Sequence, residues 1–350
     1  MSVPSSDKSD TTTASWGPPY LLYLGNAKDR LSIKTARGLA FWRPSWCPAQ
    51  YRGPSCTETL NLPDLDFVDA QASGVNTLIL GVANAGGVMA EDVRADVIAA
   101  LQAGLNVASG LHQRLVDDPK ISAVAAECGA ALFDARHFPR SIPVGNGKPR
   151  AGKRMLTVGT DCSVGKMYTT LAMEREMRSR GIAADFRATG QTGILIAGSG
   201  VPIDALVADF ISGGAEWVSP ARDDGGWDLI EGQGSLFHPS FAGVSLGLLH
   251  GSQPDAIVMC HEAGRTQMRG VPHYGLPSLA DCIEANLVAA RLTNPKVVVV
   301  GIALNTSQLD IEDGKALCAK VERELGLPCQ DPVTMGTARI VDRMLACVAN

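Results

Sequence analysis

Aromatic residues make up only 5% of this 350-residue chain and charged residues only 19%. So few rings leave no stacking platform for exposed bases. With 31 Lys and Arg against 36 Asp and Glu, the formal charge is −5, so the basic surface that holds a nucleic-acid backbone is missing as well. No apolar run approaches the roughly 20 residues a membrane span requires. Residues Met1–Trp16, rich in Ser, Thr and Asp, lack the apolar segment of a secretory leader and read as a disordered tail over residues 1–18. A cytoplasmic protein is expected, with neither nucleic acid nor membrane as partner. Nine cysteines are scattered at positions 47, 56, 128, 162, 260, 282, 318, 329 and 347, with no CxxC pair. No Cys/His group has metal spacing, so free thiols in a reducing compartment and no tightly bound metal are expected.

What the chain has instead is glycine, 37 residues in all, against a usual share of about 7%. Short apolar runs alternate with longer amphipathic stretches, with glycine-bearing turns between them, the rhythm of an α/β protein built on parallel sheets. The length suits two domains of roughly 150 residues each. In the first half, strands are predicted at Tyr20–Leu24, Asn76–Val82, Asn106–Ala108 and Ala131–Ala135, with helices at Glu91–Ala103 and Ile121–Cys128. Gly38–Pro63, with four prolines and no clear period, is predicted to be a structured loop. The polar stretch Gly145–Arg154 marks the domain boundary, giving a Rossmann-like domain over 19–148 and a P-loop domain over 149–350. Strands in the second half are predicted at Met155–Val158, Ala184–Arg187, Trp227–Ile230, Ala256–Cys260 and Val297–Ile302.

The most informative stretch runs Gly159-Thr160-Asp161-Cys162-Ser163-Val164-Gly165-Lys166-Met167, after a strand and ahead of a helix that Gly181 should stop. Such a loop aims successive backbone N–H groups and a helix N-terminus at one point, and Lys166 adds an ammonium, so it is built to hold phosphates. Five residues separate the two glycines, as in the Gly-Thr-Asp-x-x-Val-Gly-Lys loop of dethiobiotin-synthetase-like proteins, which the segment resembles. Met167 stands where a Ser or Thr hydroxyl would hold Mg²⁺, so the loop is suited to holding a nucleotide without cleaving it.

Polar residues follow the other predicted strands, where open α/β sheets bind ligands. After the second strand of this half comes Arg187-Ala-Thr-Gly-Gln191-Thr192-Gly193. After the third comes Glu231-Gly-Gln-Gly-Ser-Leu-Phe-His238, and after the fourth His261, Arg265 and Arg269. Glu231 reads as a base, a metal ligand or a structural cap. His238 and His261 stand out among six histidines by lying just after strands. Arg265 and Arg269, four apart, suit a substrate carboxylate or a solvated surface. Asn305, after the fifth strand, offers a donor and an acceptor to an adenine edge. In the first half, Gly81–Gly87 forms a glycine loop after a strand, and Asn84, Gly86, Gly87 and His112 are candidates to line a cleft with the P-loop domain.

Taken together, Gly159–Lys166, Gln191-Thr-Gly, Glu231-Gly-Gln-Gly-Ser-Leu-Phe-His-Pro, Leu249-His-Gly-Ser and Gly301-Ile-Ala-Leu-Asn-Thr resemble the DgcN family. The likeness extends to Lys34-Thr-Ala-Arg-Gly-Leu, Gly81-Val-Ala-Asn-Ala-Gly-Gly and Ser109-Gly-Leu-His, covering the chain from about residue 20 onward. The resemblance implies a Rossmann-like domain followed by a P-loop domain, and acetyl transfer from acetyl-CoA to the amino group of D-glutamate in D-amino-acid catabolism. On that reading the Gly159–Met167 loop holds CoA phosphates and Asn305 reads adenine. Glu231, His238 or His261 serves the chemistry, while Arg187, Gln191, Thr192 and Arg265 hold the amino-acid substrate. A homo-oligomer is expected. The residues alone leave open an ATP- and Mg²⁺-dependent ligase or kinase of the dethiobiotin-synthetase type, and a regulator that binds a nucleotide without transforming it.

Overall fold

A computed structural model describes residues 16–30, 32–82 and 89–348. The chain divides into two compact units, one ending at His137 and the other starting at Phe138. The first unit runs β1 (Tyr20–Gly25), α1 (Lys34–Trp42), β2 (Ala49–Arg52), α2 (Phe67–Ala72), β3 (Thr77–Leu80), α3 (Glu91–Gln102), β4 (Asn106–Ser109), α4 (Pro119–Cys128) and β5 (Leu132–Asp134). Its sheet has the order β2-β1-β3-β4-β5 and every pairing is parallel. Strands β1, β3 and β4 are buried along their whole length, as parallel strands covered on both faces should be. The stretch Gly38–Pro63 is more than a loop. Its first residues complete α1, which buries Thr35, Ala36, Gly38, Leu39 and Trp42, and residues 49–52 form the edge strand β2, paired with Leu21–Gly25. A four-residue edge strand is too short to show a period, which is why it is hidden among prolines.

The second unit runs β6 (Lys153–Gly159), α5 (Lys166–Ser179), β7 (Ala184–Arg187), α6 (Gln191–Ala197), α7 (Ile211–Val218), β8 (Trp227–Ile230), α8 (Ala242–Ser252) and β9 (Ala256–Glu262). It continues with β10 (Gln267–Met268), β11 (Val271–Gly275), α9 (Leu279–Arg291), β12 (Val298–Asn305), α10 (Ile311–Leu325), β13 (Cys329–Gln330) and α11 (Ala338–Cys347). The six-stranded sheet has the order β13-β12-β9-β6-β8-β7, again all parallel. Alternate residues of the strands enter two cores. Leu156, Val158 and Ile230 pack with α7, α8 and α9, while Met155, Trp227 and Leu229 pack with Met173 and Met177 of α5 and Ile340, Val341 and Met344 of α11. The strand order reverses at β6, so the loop after it opens at a topological switch point, where doubly wound sheets place their ligands.

The segment before β6 is fastened to the second unit. The ring of Phe138 meets Trp217 edge-on, Glu216 accepts the N–H groups of Asn146 and Gly147 at 2.8–3.1 Å, and Arg150 donates to the carbonyl oxygens of Ser219 and Gly251. These contacts hold the polar stretch 145–152 against α7 and α8. Among the described residues no helix is long and apolar enough to cross a membrane.

Candidate active site

Strand β6 ends at Gly159, and the following loop turns into α5 through two left-handed positions, Ser163 (φ 55°) and Gly165 (φ 104°). The second strains any side chain, which is why a glycine precedes Lys166. Inside β6, Thr157 hydrogen-bonds Thr170 of α5 at 3.0 Å and accepts from the Gly232 N–H at 2.9 Å. A Cβ on Gly232 would fall 1.7 Å from the Thr157 carbonyl oxygen and 3.0 Å from Cδ of Lys166, so the loop after β8 can close on the phosphate loop only through glycine. Val164 is buried, Ser163 is exposed, and Met167, half-buried, is the second residue of α5.

Lys166 is buried, and its ammonium donates to the carbonyl oxygens of Asp161 and Gly234, both at 2.8 Å. Burial pushes its pKa down, against the influence of Cys260, Cys162, Asp161 and Glu231. Glu231 lies directly after β8. Its Oε2 accepts the N–H groups of Thr189 and Gly190 at 3.0 and 3.2 Å, and its backbone carbonyl accepts the Thr189 hydroxyl at 2.6 Å. Burial raises the carboxyl pKa to about 7, although both amide donors and Lys166 pull it down. A carboxyl that titrates near neutrality is suited to general base work. Gln191 and Thr192 open α6 immediately after the two amides that hold Glu231.

His261, on β9, places Nδ1 2.9 Å from the Thr160 hydroxyl. Burial, helped by the nearby Arg265 charge and opposed by Glu262, lowers its pKa. His238 is buried, accepts the Ser240 N–H at Nδ1 (3.2 Å) and lies 3.0 Å from the Arg269 carbonyl at Nε2. Those partners assign its proton to Nε2. Asn305, ending β12, accepts the Ser307 N–H at 3.1 Å and flanks Gly165, its Cβ 3.9 Å from where a Cβ on that glycine would sit.

Two arginines expected at a substrate carboxylate are engaged elsewhere. Arg265 donates to Asp161 Oδ2 at 2.8 Å and to the Cys162 carbonyl at 2.7 Å, and pairs with Glu262. It braces the phosphate loop from outside. Arg187 pairs with the fully buried Asp228 at 2.8 Å and lies 3.7 Å from Asp185. Asp228 is two residues back from Ile230, the residue that pairs with Arg187 across the strands, so this guanidinium turns along the sheet and away from the loops. Asp161, Cys162 and His238 bring one potential metal ligand each within 4.8 Å of one another. Protein partners already hold the carboxylate, however: Oδ1 accepts the Cys162 N–H at 2.6 Å, and Oδ2 accepts Arg265 and the Arg269 N–H, each at 2.8 Å. With both His238 nitrogens engaged too, the trio fits a brace better than a metal centre. Cys162 is half-buried, and burial raises its thiol pKa.

The structure thus gathers Thr160, Asp161, Lys166, Glu231, His238, His261, Gln191, Thr192 and Asn305 at the carboxyl ends of β6, β7, β8, β9 and β12. His112, exposed, follows β4 of the first unit; Asn84, Gly86, Gly87 and residues 1–15 lie outside the described residues. The feature that sequence reading misses is the β10–β11 hairpin, whose tip, Arg269, is tied by its backbone to Asp161 and His238. Its only sequence signal is Arg269-Gly270 between two very short extended runs.

A six-stranded parallel sheet with a Gly-x₅-Gly-Lys loop at its switch point defines a P-loop protein, here preceded by a Rossmann-like unit. The family model described as a domain of unknown function, DUF1611, P-loop domain, matches residues 143–341, and that of its Rossmann-like N-terminal domain matches 53–138. The chain belongs to this family. It is 50% identical over 324 residues to a protein of Pseudoalteromonas named D-glutamate N-acetyltransferase, covering 93% of this chain and 98% of the relative. A second relative of the same name, from Tritonibacter scottomollicae, is 48% identical over 328 residues, covering 94% and 98%. Those named relatives are acyltransferases. A crystal structure of a DUF1611 family protein from Anabaena variabilis superposes with a TM-score of 0.84 at 32% identity, covering 93% of this chain and 99% of that one.

Proposed function

We propose that this protein transfers the acetyl group of acetyl-CoA to the amino group of D-glutamate, in the cytoplasm, as a step of D-amino-acid catabolism. Two relatives matching nearly the whole chain are named D-glutamate N-acetyltransferase. The observation that carries the choice of donor is a phosphate loop that keeps its glycines and Lys166 but has Met167 in place of the metal-binding hydroxyl. Such a loop fits a co-substrate whose phosphates are held and never cleaved. In this reading Gly165, Lys166 and the loop amides take the CoA phosphates, and Asn305, beside Gly165, takes the adenine. Gln191 and Thr192 contact the acceptor next to Glu231. Glu231 takes a proton from the ammonium group, the freed amine attacks the thioester carbon, and a C–N bond forms as the C–S bond breaks; Glu231 returns its proton to the departing sulfur and the second proton lost from nitrogen goes to solvent.

Lys166→Ala tests the clamp. Calorimetric titration with CoA should show affinity falling by about tenfold or more, the scale of a lost charge-assisted phosphate contact, and unchanged affinity would overturn the assignment. Stabilisation of the wild type by ATP with Mg²⁺ alone, with no acetyl transfer to D-glutamate, would overturn the donor in favour of an ATP-dependent ligase or kinase.

A further inference from the structure

We propose that Arg269, at the tip of the β10–β11 hairpin, is the guanidinium that contacts the phosphate group held in the Gly159–Lys166 loop, and that His238 acts as its positioning residue. The inference deepens the acetyl-CoA reading and rests on it for the identity of the ligand, though not for the presence of a phosphate. A phosphate carries more negative charge than one ammonium can balance, and a planar guanidinium pairs with phosphate oxygens two at a time. Of the three arginines at or after the strand ends here, Arg187 is paired with Asp228 and turned away from the loops, and Arg265 is paired with Asp161 and Glu262. The side chain of Arg269 is exposed and makes no hydrogen bond or ion pair among the described residues.

Its backbone is held from both sides. The N–H donates to Asp161 Oδ2 at 2.8 Å, and Asp161 is fully buried within the phosphate loop itself. The carbonyl lies 3.0 Å from Nε2 of His238, which is 2% exposed. Two buried polar groups thus fix the main chain of a residue whose own side chain is exposed and has no ion-pair or hydrogen-bond partner among the described residues. A merely solvated arginine at the tip of a short hairpin requires no such anchoring. The charge of the guanidinium also acts on the thiol of Cys162, a residue of the loop. His238, with both ring nitrogens occupied by backbone, is accordingly assigned to the hairpin and not to proton transfer.

The probe is inorganic pyrophosphate, titrated calorimetrically into the full chain, beside steady-state kinetics with acetyl-CoA and D-glutamate. Arg269→Ala should weaken pyrophosphate binding about tenfold or more and raise KM for acetyl-CoA, with KM for D-glutamate unchanged, and Arg269→Lys should recover part of the loss. His238→Ala should weaken pyrophosphate binding in the wild-type background but have no further effect in Arg269→Ala. His238→Gln, which retains an N–H donor for the Arg269 carbonyl, should restore most of the affinity. Unchanged pyrophosphate affinity in Arg269→Ala, or a change confined to KM for D-glutamate, would overturn the assignment of Arg269; additive losses in the double variant would overturn that of His238. If the wild type binds pyrophosphate with the predicted variant pattern yet uses no acetyl-CoA, the donor assignment fails while the role of Arg269 stands.

Discussion

Glu231 illustrates which site residues a sequence reveals. It follows a predicted strand at a fixed place relative to the phosphate loop, so its candidacy needs only local pattern, and Lys166 is legible for the same reason. Arg265 and Arg187 are different. Their partners, Asp161 and Asp228, lie 104 and 41 positions away, and no local spacing announces a pairing that only strand order creates. Composition marks an arginine as a candidate for any anion, the protein's own carboxylates included. A carboxyl with a pKa near 7 gives a specific kinetic expectation. If Glu231 is the base, kcat/KM for acetyl transfer rises with pH as the carboxyl loses its proton near pH 7. Glu231→Gln should lose about 10²–10⁴-fold in rate together with that acid limb. A pH–rate series on both proteins checks it, and a limb that survives in Glu231→Gln would move the role to His261.

At the scale of elements, the predicted strands of both sheets fall on or within a few residues of β1, β3–β9 and β12, because buried parallel strands are continuous apolar runs. What escapes are short or half-exposed pieces: β2 among prolines, the two-residue strands β10 and β13, and with β10 the hairpin that brings Arg269 to the loop. Such pieces form because neighbours offer them hydrogen bonds, and residue type contributes little. The glycines after strands carry a different message. Gly232 is where the loop after β8 crosses Thr157, and a methyl group there would lie 1.7 Å from the Thr157 carbonyl, with only backbone and the stem of Lys166 to move. Gly232→Ala should therefore cost about 1–3 kcal/mol through forced displacement and lower the melting temperature by several degrees. It should also weaken phosphate binding, since Lys166 is displaced with it. Differential scanning calorimetry with and without pyrophosphate measures both effects, and an unchanged melting temperature would mean the crossing is looser than these contacts indicate.

At the scale of the whole molecule, the small charge and abundant glycine acquire a location. The cations that matter are few and local, and the glycines let backbone from separate strand ends converge where the β6 order reverses. That convergence carries a cost to stability, and it has a sign. Glu231 has a folded-state pKa of about 7 against an ordinary 4.5, so between those values the folded protein holds a proton that the unfolded chain has released. Stability then falls as pH rises from about 4.5 to 7 and is flat in this respect above 7, by about 3 kcal/mol in total. Glutamine has no proton to lose and can still accept the Thr189 and Gly190 amides. The stability of Glu231→Gln relative to the wild type should therefore improve steadily from pH 5 to 7 and level off by pH 8, while its activity falls, the opposition expected of a residue kept for function. Denaturant unfolding of both proteins at pH 5, 6, 7 and 8 reads the difference directly. A difference independent of pH would show that the carboxyl titrates normally and remove the physical basis for choosing Glu231 as the base.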